Sequence, residues 1–91
     1  MAQSLVRGLN VLSLFSSDGP ALTVKDIARG IQVPLPTTYR LVKILAERGF
    51  LERNPATAEY RLGLKFLEFG AIVRRHLDLE ALARPFVTKL A

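Results

Sequence analysis

The sequence has no cysteine and a single histidine. Without cysteine there is no disulfide framework and no thiol nucleophile, and the composition fits a reducing cytoplasm. The one histidine, His76, follows Arg74 and Arg75 near the expected end of a helix. A lone imidazole in such a place is more often a surface or packed side chain than a catalyst. No carboxylate pair, glycine-rich phosphate loop or cluster of metal ligands accompanies it. No enzyme, no metal site and no cofactor are therefore expected. Long apolar runs are also missing: none approaches the roughly 18 residues that mark a membrane-spanning helix. Residues 9–15 faintly resemble a signal-peptide core. Asn10 and Ser13 interrupt them and only Arg7 precedes them, so neither a leader nor membrane attachment is expected. The chain contains no internal repeat and no low-complexity tract.

What is present is a chain of 91 residues, 49% of them hydrophobic, enough for one small packed domain. A domain of this size buries only about 60% of the surface its unfolded chain exposes, so association would help its stability. Lysine and arginine number 13 against 8 acidic residues, for a net charge of +5. In a small domain that balance points to a polyanionic partner, nucleic acid above all, although the same charge also serves plain solubility.

Residues 4–16 have a helical period. Leu5, Leu9, Leu12 and Phe15 share one face, and Val11 and Leu14 form a second apolar strip beside Arg7. A surface helix needs one apolar face. Two imply a helix sandwiched in its own core or against a second subunit. Residues 16–20, Ser-Ser-Asp-Gly-Pro, make a loop. Thr23 then has the place of an N-cap, with Asp26 where the acid of a capping box belongs. The second helix is short, residues 24–29, and Gly30 is placed to end it in a left-handed conformation.

After a tight connection over residues 30–35, Pro36 opens a third helix that runs to residue 48, with Gly49 as its C-cap. Residues 50–53 and 59–62 read as two short strands around an Asn-Pro turn, Leu51 and Leu62 facing in, Arg53 and Arg61 facing out. Two strands alone are marginal in water, so this ribbon must lean on the helices. Gly63 breaks the strand. Residues 64–76 read as a fourth helix, apolar on more than one side through Leu64, Phe66, Leu67, Phe69, Ile72 and Val73. Asp78 is placed to cap a last helix over residues 79–91, kinked at Pro85. The single apolar stripe of that last helix calls for a further domain or a partner chain to cover it.

Two helices joined by a tight turn form a helix-turn-helix when their interior is apolar, their crossing is small and the outer face of the second is polar. Ile27, Ile31 and Val33 supply apolar residues, Ala28 is small, and Thr38, Leu41, Val42 and Leu45 share the inner face of the third helix. At about 100° per residue, Pro36, Tyr39, Arg40, Lys43 and Glu47 fall on the opposite face. That face is mostly basic and begins at the helix N-terminus, as a helix entering the major groove requires. Arg40 suits a guanine edge, Thr37 and Tyr39 suit phosphates or bases, and Lys43 suits the backbone. A solvated charged face on an ordinary helix would look the same in isolation. The order helix, helix, turn, helix, strand, strand favours a winged helix, with Arg53 and Arg61 of the ribbon beside phosphates or simply solvated. The fold class expected is mainly α with a small β-hairpin, a three-helix core plus a two-stranded wing. A winged helix used for protein interaction or dimerisation without DNA binding is the alternative, and the basic outer face speaks against it.

The run LTVKDIARGIQVPLPTTYRLVKILAERGFLERNPATAEYRLGLKFLEFG and the trailing LDLEALARP resemble the N-terminal domain of the IclR family of bacterial regulators. The pieces TTYRLVKIL..RGFLER and YRLG..FLEFG carry the likeness most specifically. The resemblance implies operator DNA as partner, a homodimer or homotetramer, and a small-molecule effector bound only by a C-terminal domain missing from this chain. On that basis residues 1–63 are the DNA-binding domain, 64–77 a linker helix, and 78–91 the start of a truncated effector domain. Thr37, Tyr39 and Arg40 match the family's recognition helix. The full set of expected DNA contacts is Thr23, Lys25, Thr37, Thr38, Tyr39, Arg40, Lys43, Arg53 and Arg61. Relatives use the first and linker helices in dimer contacts, which here implicates Leu5, Leu9, Val11, Leu12, Leu14, Phe66, Phe69 and Val73. Two departures stand out. Leu35 and Pro36 open the third helix where relatives often have lysine and serine, which loses a phosphate charge and an N-cap. Gln32 occupies the turn where glycine is usual.

Overall fold

The structure, a computed structural model, describes residues 2–76. The expected last helix, with its Asp78 cap and Pro85 kink, lies outside the described residues. The elements are α1 (Ala2–Ser13), α2 (Val24–Ile31), α3 (Leu35–Glu47), β1 (Leu51–Asn54), β2 (Glu59–Leu62) and α4 (Lys65–His76). This is the order of a winged helix-turn-helix followed by a further helix.

Helix α1 stops at Ser13, short of the expected residue 16. The Ser13 hydroxyl donates to the Leu9 carbonyl at 3.0 Å. The Leu14 and Phe15 amides reach back only three residues, to Val11 and Leu12 at 3.2 and 3.4 Å, and this tightening closes the helix. Helix α2 begins where the sequence places it but runs through Gly30 to Ile31. The left-handed residue is Gln32, at φ 57° and ψ 49°. Gly30 has a different use: a Cβ there would lie 2.8 and 2.9 Å from the Leu14 methyls, so its bare backbone lets the segment after α1 press against α2.

At the end of α3 the expected glycine does turn left-handed. Gly49 has φ +87°, its amide donates to Ala46 O at 3.1 Å, and the Phe50 amide donates to Leu45 O at 2.9 Å. These two bonds are the Schellman pattern that satisfies the last carbonyls of a helix.

The core lies where the three helices cross. Val11, Ile27, Val42 and Thr38 are fully buried, and Val24, Val33, Leu51 and Tyr60 nearly so. Each fully buried aliphatic side chain contributes roughly 1.5–3 kcal/mol. Val11, expected at a subunit contact, is instead at the centre of the chain's own core. Leu12 and Leu14, expected there too, are half-buried and pack against that core, Leu12 while also lining an open groove beside α3.

Strands β1 and β2 pair antiparallel with Leu51 opposite Leu62 and Arg53 opposite Tyr60. Leu22 adds a bridge to the outer side of β2: its amide donates to Tyr60 O at 2.9 Å and its carbonyl accepts from the Tyr60 amide at 2.7 Å. Paired residues share a face, so Leu51, Arg53, Tyr60 and Leu62 lie together on one side of the ribbon. Leu51 and Tyr60 are buried, whereas Leu62, expected to face in, stays 43% exposed.

The ribbon leads into α4 through a close joint. The Gly63 amide donates to Phe50 O at 2.8 Å and the Lys65 amide to Gly49 O at 3.1 Å. A Cβ on Gly63 would fall 2.2 Å from the Gly49 carbonyl oxygen, so only glycine fits. Phe50 then stacks edge-on against Phe66 and tilted against Phe69, with centroids 5.7 and 5.8 Å away.

A left-handed conformation costs an L-residue about 1–2 kcal/mol. Glycine removes that cost but loses about 0.4–1 kcal/mol through a freer unfolded chain. Gln32→Gly should therefore stabilise the fold by a few tenths of a kcal/mol to about 1 kcal/mol, read as a rise in the thermal midpoint. A lower midpoint would mean that the Gln32 side chain contributes more than the strain costs.

Candidate nucleic-acid interface

The rotation of α3 about its axis decides what it offers to solvent. Thr38 and Val42 point inward and are fully buried. The Thr38 hydroxyl lies 3.1 Å from Pro34 O and 3.3 Å from Val33 O, so its polar hydrogen is satisfied inside the protein. Thr38 therefore cannot touch DNA; of its two expected roles, only the inner-face one stands. With Thr38 and Val42 inward, Tyr39, Arg40 and Lys43 are turned out, all exposed, Tyr39 to 54%. Thr37 is half-buried beside them, and its hydroxyl accepts from Arg40 Nη2 at 3.3 Å.

The start of α2 comes up against this face. Thr23 accepts from the Asp26 amide at 3.2 Å, and Asp26 accepts from the Thr23 amide at 3.1 Å, a complete capping box. The Thr23 amide first, and the nearby Thr23 hydroxyl after it, hold the Asp26 carboxyl below its ordinary value, and Arg29 adds a smaller pull in the same direction. Lys25 lies exposed on this turn.

The wing completes the site on one side only. A shallow groove is lined by Thr23, Lys25, Tyr39, Arg53 and Tyr60, and it continues into a second lined by Tyr39, Arg40, Lys43, Glu47 and Arg53. Arg53 reaches these grooves because it shares the face of Leu51 and Tyr60. Arg61 stands across from Glu52 on the other face, beside the loop of Phe15, Ser16, Ser17 and Pro20. The structure thus gathers Thr23, Lys25, Thr37, Tyr39, Arg40, Lys43 and Arg53, while Arg61 lines a neighbouring hollow on the wing with Glu52, Arg53, Asn54 and Pro55.

A separate apolar groove of about 360 Å³ runs between α1 and α3, lined by Leu5, Leu9, Leu12, Leu41, Ile44 and Phe50 among others. Leu5, Leu9 and Ile44 are more than half exposed, and Phe66, Phe69 and Val73 of α4 are also open. Ile44 escaped the sequence reading, although its place three residues after Leu41 was a usable signal. Among the described residues, no group of three or more His, Asp or Glu side chains stands close enough to hold a metal ion. No helix among them is long and apolar enough to cross a membrane.

A basic helix after a tight turn, flanked by a ribbon whose arginine joins it, defines a winged helix-turn-helix domain of the DNA-binding class. The sequence matches the IclR helix-turn-helix domain over residues 4–55, and the chain belongs to the IclR family of transcriptional regulators. It is 33% identical over 89 residues to the transcriptional regulator XynR of Escherichia coli K12, covering 98% of this chain and 35% of that protein. It is 36% identical over 88 residues to KipR of Bacillus subtilis, covering 97% and 34%. Solved structures agree. An IclR homolog from Microbacterium sp. strain HM58-2 superposes with a TM-score of 0.78 at 31% identity, covering 94% of this chain and 36% of that one. An IclR-family regulator from Brucella abortus gives 0.76 at 30% identity, covering 90% and 31%. The chain spans about a third of the length of these relatives.

Because the folded Asp26 carboxyl titrates below its unfolded value, near 3.9, its contribution is present above that value and lost as pH falls through the lower folded one. Thr23→Ala should cost about 1 kcal/mol at pH 7, a fall of roughly 4–8 °C in the thermal midpoint. Asp26→Asn removes the charge that the residue-23 amide holds, so it should also lower the midpoint at pH 7, and the gap between that variant and the parent should shrink at pH 3, as thermal melts at the two pH values would show.

Proposed function

We propose that this chain binds double-stranded operator DNA, with α3 in the major groove and the wing along the backbone. The observation that carries this is the meeting of Lys25, Tyr39, Arg40, Lys43 and Arg53 along one pair of grooves. In this reading Arg40 makes a bidentate contact to a base edge, and Lys25, Lys43 and Arg53 meet phosphates as point charges. The protein acts as a homodimer or higher homo-oligomer, bringing two such faces to half-sites about one helical turn apart, or a multiple of it. The exposed apolar residues of α1, the adjoining groove and α4 support this, since contiguous apolar surface marks an interaction site. A small-molecule effector belongs to the part of the full-length protein beyond this domain. The protein works in the cytoplasm as a regulator rather than an enzyme.

Selection from random duplex DNA should enrich a roughly palindromic motif. Binding to it should fall steeply with salt, because the slope of log affinity against log salt is about −0.9 per neutralised phosphate. Arg53→Ala should flatten that slope by about one unit, and Arg40→Ala should cost about 1–3 kcal/mol with relaxed base preference. No retention of DNA at low salt would overturn the proposal and leave a protein-interaction module.

Leu9→Glu combined with Phe69→Glu should shift the protein toward monomer in sedimentation velocity while leaving the helical circular dichroism signal in place. An unchanged sedimentation coefficient would exclude this face as the dimer contact.

A further inference from the structure

The first turn of α3 has few donors for an anion. A helix N-terminus ordinarily offers free N–H groups to phosphates. Here Pro34 and Pro36 have none, and Pro34 caps the helix with no side-chain hydrogen bond. Exposed Pro36 presents a hydrocarbon ring instead. It stands four residues before exposed Arg40, so the two are neighbours on one face. Arg40 is tethered on that face, because Nη2 donates to the half-buried Thr37 Oγ1 at 3.3 Å. A guanidinium held at one nitrogen keeps its remaining N–H groups as an outward fork.

We propose that Pro36 and Arg40 together read a thymine and a guanine in each half-site. Pro36 packs on the thymine C5-methyl, Arg40 donates to guanine O6 and N7, and Thr37 is a positioning residue that holds the guanidinium. In the major groove only thymine offers a methyl, and only guanine offers two adjacent acceptors. Four residues of helix rise about 6 Å, less than two base-pair steps of about 3.4 Å. The two base pairs are therefore adjacent or separated by one. Lys43 and Arg53 supply the phosphate contacts that the proline-bearing turn does not.

This assignment rests on the operator-binding function proposed above. The full-length protein is first used to select its motif from random duplex DNA. Duplexes are then made with uracil for a single thymine, which removes only the methyl, or 7-deazaguanine for a single guanine, which replaces the N7 acceptor. Uracil at one position should weaken the wild type about threefold to fivefold, and Pro36→Ala should bind the thymine and uracil duplexes equally. Deazaguanine at a position next to it or one removed should weaken the wild type about fivefold or more. Arg40→Ala should lose that difference, while Pro36→Ala keeps it. Thr37→Val should narrow the guanine discrimination and Thr37→Ser restore it. Each comparison is made within one variant, and Pro36→Ala must keep the guanine sensitivity while it loses the thymine one, so misfolding of a variant does not imitate the result. A motif whose thymine and guanine sensitivities are untouched by Pro36→Ala and Arg40→Ala overturns the assignment and leaves operator binding standing. Equal losses with Thr37→Val and Thr37→Ser overturn the positioning role. Recovery of no motif at all overturns both the assignment and the operator-binding function.

Discussion

A hydroxyl in an apolar core costs free energy unless it finds partners. Thr38 finds them in the carbonyls of Val33 and Pro34, at the entrance to its own helix. That local contact, with Val42 one turn later against Ile27, fixes the rotation of α3. Turning the helix by one residue would drive Tyr39 or Lys43 into the core and strand the hydroxyl in solvent. The outward display of Tyr39, Arg40 and Lys43 is thus a consequence of how the interior is satisfied. The turn before α3 serves the same end, since its carbonyls are the acceptors.

The features legible in the sequence were those whose partners lie close along the chain. Thr23 and Asp26 cap each other across three residues, and Gly49 closes α3 with bonds to Ala46 and, from Phe50, to Leu45. Distant partners decided the rest. A glycine letter does not say whether it serves a positive φ or a missing Cβ, and Gly30 proved to serve the second. Two apolar strips on α1 do not say which one meets the core, and Val11 was on the inner one. Leu22 makes a strand of one residue whose partner, Tyr60, is far along the chain. In the ribbon, Leu51 and Arg53 are two residues apart and so share a face, whereas Leu62 and Arg61 are adjacent and oppose each other. The expectation that both arginines face away from Leu51 and Leu62 therefore fails for Arg53, and only the packing beside α3 showed that it joins the helix.

The domain divides its surface into regions with different tolerance to change. Seven hydrophobic side chains are buried among the described residues, a small core for a chain that leaves Leu5, Leu9, Ile44, Leu67 and Ile72 more than half exposed. Burying those residues against a partner would add stabilisation of the same kind as the core itself. The basic face is different. Its charged side chains are exposed, and exposed charges contribute little to folding. Changes there alter what is bound with little effect on folding. Changes on the apolar side affect association and stability together.

The joint at Gly63 has a consequence for anyone who would splice this domain to another. Its amide is bonded to Phe50, the next bond runs from Lys65 to Gly49, and no Cβ fits against the Gly49 oxygen. The end of α3 and the beginning of α4 are thus riveted rather than hinged. A fusion made at residue 63 would cut through that rivet and expose Phe50. A serviceable seam lies beyond Phe69, where α4 has already left its last aromatic contact with Phe50.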